Sequence, residues 1–143
     1  MIFSNDRDKL RQQYLDVWNK ANQRVTLEPL EEIIADVIRD HPEYHPLLES
    51  GTAALASEYH PEHGQSNPFL HMGMHIALRE QVASDRPVGI RDLTRKLLLK
   101  YRDGHEMEHQ MMECLGESLW RAQRDQTEPD ELAYMENLQR LAT

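Results

Sequence analysis

The chain has 143 residues, 39% hydrophobic and 29% charged, with a formal net charge of −9. This is the composition of a globular domain long enough to bury a sizeable core. The negative balance argues against binding to nucleic acid or to an anionic membrane surface, and one cysteine excludes an intrachain disulfide framework or a Cys-x-x-Cys zinc finger.

The opening segment, Met1 to Asp6, lacks the apolar run of a signal peptide, and no stretch approaches a membrane span. The expected compartment is therefore a reducing cytoplasm. Apolar periodicity is helical nearly everywhere, and no segment alternates as a strand does. A first helix is predicted over roughly residues 6–22, with Leu10, Tyr14, Val17, Trp18 and Ala21 on one side. A second begins near Pro29, a favoured first-turn proline, and stops before Pro42.

The segment 41–67 is the least regular, with Pro42, Pro46, Gly51, Pro61 and Gly64 and room for a short helix near residues 51–58. A connection this long is functional or wraps the rest of the domain. Asn67-Pro68 reads as an N-cap and first-turn proline for a helix over about 68–84. Apolar residues surround that helix, so it is expected to be largely buried. Another helix is predicted over about 90–102; its Arg91, Arg95, Lys96, Lys100 and Arg102 read as a solvated face. Asp103 is placed to cap a helix running to about 124, and a last helix follows Thr127 to Asp130. The predicted fold is all-α, a single-domain bundle of five or six helices spanning residues 1–143.

All eight histidines fall in pairs three or four residues apart: His41/His45, His60/His63, His71/His75 and His105/His109. On a helix, residues at i and i+4 share a face, so two imidazoles there can share one metal ion. His71 and His75 lie on the apolar helix, where a buried imidazole needs partners for both ring nitrogens. His105, His109 and Glu113 form a ladder on the next long helix but one.

The expected site gathers His71, His75, His105 and His109, with Glu106 or Glu113 as a carboxylate ligand, around a divalent transition metal. Zinc and iron suit that donor set best. In the competing interpretation the histidines are hydrogen-bonded core and boundary residues. Proline follows His41, His45 and His60, which disfavours helical geometry. The pairs His41/His45 and His60/His63 therefore read as solvated loop residues.

His105-Glu106-Met107-Glu108-His109 also matches H-E-x-x-H, in which Glu106 would be the general base of a zinc hydrolase. That match is weak: Glu108 places a charge where such helices are usually uncharged, and no strand is available to bind a peptide. A di-iron centre is disfavoured because Glu106-x-x-His109 has no second copy. Met72, Met74, Met107, Met111 and Met112 flank the two helical pairs. They read as core fillers before they read as copper(I) ligands.

The segments NPFLHMGMHIALREQ, from Asn67 to Gln81, and GHEMEHQMMECLGESLWRAQ, from Gly104 to Gln123, resemble an uncharacterised bacterial family of short, acidic domains of unknown function. The likeness covers nearly the whole chain and implies a stand-alone bacterial domain. It implies no activity, substrate or ligand set. Two functions stay open beside the zinc-hydrolase reading of the motif. One is a metal-binding domain, catalytic by metal-assisted hydrolysis with Glu106 moving the proton. The other is a non-enzymatic domain that binds a protein partner or forms a homo-oligomer.

Overall fold

The structure, a computed structural model, describes residues 4–60 and 66–143. Among the described residues there are eight α-helices and one 3-10 turn, and no strand. The helices are α1 (Ser4–Asn22), α2 (Pro29–Arg39), α3 (His45–Glu49), α4 (Thr52–Ala56), α5 (Pro68–Ser84), α6 (Ile90–Tyr101), α7 (Gly104–Asp125) and α8 (Glu131–Ala142), with the 3-10 turn at Pro42–Tyr44.

The expected count of five or six helices is thus corrected to eight. The six long helices are those the periodicity marks; α3 and α4 have five residues each. Such helices are too short to show a 3.6-residue period. Pro46 sits in the first turn of α3, and Gly51 supplies the positive φ of 64° that starts α4. No helix among the described residues is long and apolar enough to cross a membrane.

The chain divides into two compact units, Met1–Ile76 and Ala77–Thr143. In the first, α1 packs on α2, α3 and α4. Leu15, Val17 and Trp18 of α1 meet Ile34, Ala35, Val37 and Ile38 of α2, Leu48 of α3 and Ala54 of α4, with Phe69, Met72 and Ile76 of α5 completing the core. The irregular segment is anchored by Arg11, only 3% exposed. Its Nη1 donates to the carbonyls of Ala54 (3.1 Å), Leu55 (3.2 Å) and Ser57 (2.6 Å). These are carbonyls at the end of a short helix, which otherwise lack partners. Residues 41–60 therefore wrap this unit rather than hang from it.

In the second unit α6, α7 and α8 pack pairwise. Leu78, Ile90, Leu97, Met111 and Leu138 are at most 1% exposed, and Met107, Cys114, Leu115 and Tyr134 are buried beside them. Tyr134 donates to Gln81 Oε1 at 2.7 Å, and Glu108 of α7 takes a forked pair from Arg79.

Asp103-Gly104 breaks the helix rather than bending it. Arg102 turns left-handed at φ 63°, and Asp103 Oδ1 accepts from the backbone N–H of His105 (2.9 Å) and Glu106 (3.5 Å). Asp103→Ala is therefore expected to lower the unfolding free energy by about 1 kcal/mol. Asp103→Asn, which keeps the acceptor, is expected to stay within about 0.5 kcal/mol of the parent. Urea titrations of both variants check this.

Candidate metal centre

The centre begins at the C-terminus of α2. The last carbonyls of a helix have no intrahelical donor, and histidine is one of the side chains that supplies one. Asp40 ends α2, and Pro42 prevents any continuation. The chain therefore folds back, and His41 Nδ1 lies 2.7 Å from the Val37 carbonyl. A carbonyl only accepts, so Nδ1 carries the proton and Nε2 is the lone-pair nitrogen. This is how metal-binding histidines are commonly held: one ring nitrogen fixed by a backbone acceptor, the other turned to the ion. The carbonyl end of α2 also bears partial negative charge, which favours a nearby cation.

His41 is 1% exposed and His75 is fully buried, while His71 is half-buried. His71 and His75 stand one turn apart on α5, ring centroids 4.9 Å apart. His41 lies 5.2 Å from His71 and 4.8 Å from His75 on the same measure. One donor nitrogen from each of the three lies within 4.8 Å of the others. A tetrahedral ion about 2.0–2.1 Å from each nitrogen separates the nitrogens by roughly 3.3 Å. Tyr44 walls the site, stacked on the His41 ring at 5.5 Å with a 5° interplanar angle, and edge-on to His71 at 6.3 Å. Burial pushes the Tyr44 phenol up, with Glu43 adding to the shift.

The loop-histidine expectation is corrected here. His41 is buried, and His45 Nε2 bonds the Ile38 carbonyl at 2.8 Å while its ring lies 4.5 Å from Trp18. Both cap α2 instead of facing solvent. Proline after a histidine excludes a continuing helix but not a helix C-cap. His60 is exposed, as expected, and His63 lies outside the described residues.

His105 and His109 lie a turn apart on α7, edge to face with centroids at 4.3 Å; His105 is exposed and His109 half-buried. Glu106 and Glu113 are exposed, and Glu106 Oε1 accepts from Gln110 at 3.0 Å. Of the five methionines that flank the histidine pairs, Met72, Met107 and Met111 are buried in the core, and Met74 and Met112 are half-buried. Cys114 is buried too, and burial, then Glu117 and Glu113, push its thiol up. Iodoacetamide is expected to label native Cys114 at least ~10-fold more slowly than the urea-unfolded chain. Equal rates in the two states would contradict that burial.

Residues 6–140 match the family described as Domain of unknown function (DUF1841). The chain belongs to the DUF1841 family. No curated protein and no solved structure matches it. Membership in DUF1841 agrees with the resemblance of the two long segments and carries no activity with it. For this DUF1841 chain the chemistry must come from the side chains, and His41 is the one the sequence did not single out. Its signal was present: a histidine two residues beyond the last turn of a helix that a proline terminates.

Proposed function

We propose that the protein is a metal-binding helical domain holding one divalent transition ion, zinc or iron, through His41, His71 and His75. The observation that carries this reading is the convergence of two buried imidazoles and a half-buried third, one already fixed in the ligand tautomer by Val37. Three protein nitrogens leave one tetrahedral position for water, the arrangement of catalytic rather than structural zinc sites. A zinc ion so held lowers the pKa of its water to about 7, which makes metal-assisted hydrolysis the reaction class that fits.

Protein purified without a histidine tag should carry close to one equivalent of metal by elemental analysis. The apo-protein should take up cobalt(II) with the visible absorption of a tetrahedral site. Metal far below one equivalent, with no cobalt spectrum, sinks the proposal. The sequence also assigns His105 and His109 as ligands; a double alanine variant reads that assignment directly through its metal content.

Self-association is a second reading; the second unit exposes Val88, Leu99 and Leu132, each near 80%. A mass that stays monomeric by light scattering across a wide concentration range removes it.

A further inference from the structure

The first unit holds a second feature, which the metal reading does not use. A cavity of about 270 Å³ lies between α1 and the start of α5, lined among others by Arg7, Arg11, Tyr14, Phe69, Leu70 and Gly73. Its size is just below the roughly 300–1,000 Å³ usual for small-molecule pockets. Most of its wall is apolar, with the Tyr14 and Phe69 rings 5.5 Å apart.

Two cations stand in this wall, one helical turn apart. Like charges at that spacing repel, and arginine does not escape by losing its proton. Burial, then the Arg7 charge, holds Arg11 below the usual guanidinium range. Arg11 spends Nη1 on neutral carbonyls, and its guanidinium lies 4.7 Å from the Phe69 ring. Arg7, whose side chain is 40% exposed, is ion-paired with Asp8 at 3.7 Å without a hydrogen bond between them. The Nε atoms of both arginines are buried and have no hydrogen-bond partner. A buried N–H without an acceptor is costly, and here two of them belong to cations beside one cavity. The α5 N-terminus, with the Phe69 and Leu70 N–H groups held by Asn67, adds a positive dipole end at the same wall.

We propose that this cavity binds a small organic monocarboxylate, its carboxylate on Arg7 and Arg11 and its aromatic or short aliphatic body against Tyr14, Phe69 and Leu70. An inorganic anion would leave the apolar wall unused, and a neutral ligand without an acceptor would leave the two arginine Nε–H groups unpartnered. A guanidinium offers carboxylate the matching forked geometry.

The test uses the full chain with a chelator present, so that a carboxylate held by a metal ion is not counted. Phenylacetate and octanoate are titrated by calorimetry against phenylacetamide and inorganic phosphate. The carboxylates should bind and raise the melting temperature, with the amide and phosphate at least tenfold weaker. Arg7→Gln should weaken phenylacetate at least tenfold. Gly73→Leu should abolish binding by filling the cavity, because even a Cβ there comes 3.4 Å from the Tyr14 hydroxyl. Arg11 is left in place because it anchors residues 54–57. No binding of either carboxylate at about 10 mM overturns the proposal, since that limit means an affinity weaker than about 3 kcal/mol. It is equally overturned if phosphate binds as well as phenylacetate, or if folded Arg7→Gln binds like the parent. These outcomes are independent of whether His41, His71 and His75 hold a metal.

Discussion

His41→Ala is expected to lower zinc or cobalt(II) affinity at least about 100-fold, because loss of even an outer partner of a ligand costs 10–100-fold. The parent protein should gain roughly 2.7 kcal/mol of stability when metal is held at a hundred times its Kd. For a chain of this size that is a rise in melting temperature of roughly 5–10 °C. In His41→Ala the rise should vanish at the same metal concentration, and His75→Ala should behave alike. His45→Ala is the decisive control. His45 also caps α2, through the Ile38 carbonyl, but it stands outside the three-histidine group. If His41 acted only as a cap, the two variants would lower stability similarly and leave metal uptake alone. A ligand role predicts a different pattern: His45→Ala melts earlier without metal but still takes up one equivalent. Equal loss of metal in both would mean that the end of α2, not coordination by His41, is what matters.

The contrast between His41 and His71 shows what the sequence carried. The start of α5 was legible because Asn67-Pro68 is a local signal, and the Asn67 side chain does accept from Phe69 and Leu70. His71 and His75 were legible for the same reason: their spacing and apolar neighbours are properties of a single helix. The nearness of His41 to them was not, because it depends on α2 ending beside α5, a pairing that no local pattern encodes. The proline after His41 even pointed the other way. Arg11 is a similar case. No local pattern sets it apart from the other charged residues of α1, and the return of residues 54–57 over α1 is what buries it. The short helix α3 escaped because five residues complete barely more than one turn, whereas α4 lies inside the segment 51–58 where the sequence leaves room for a short helix.

Glu108→Ala is expected to cost roughly 2 kcal/mol of stability, and Glu106→Ala less than about 0.5 kcal/mol. The two glutamates share the H-E-x-x-H segment but not its surroundings. Glu108 receives Arg79 Nε at 2.9 Å and Nη2 at 3.0 Å, with side-chain exposures of only 12% and 25%. Removing Glu108 leaves a largely buried guanidinium without its forked partner. Replacing both, as Arg79→Met with Glu108→Leu, should recover most of the loss, since a buried pair exchanged for apolar side chains is often neutral. Glu106 is exposed and bonded to Gln110 one turn on, an arrangement worth a few tenths of a kcal/mol. Urea titrations of the two single variants and the double variant measure all three values. A zinc hydrolase built on this motif needs the opposite ranking in activity: Glu106 indispensable for turnover while metal stays bound, Glu108 incidental. If Glu106→Ala keeps its metal and any hydrolytic activity of the parent, the motif's spelling serves helix packing. The charge that made the match look wrong for a buried zinc helix is then explained by Arg79, which requires an acid at that position whatever the histidines on either side of it do.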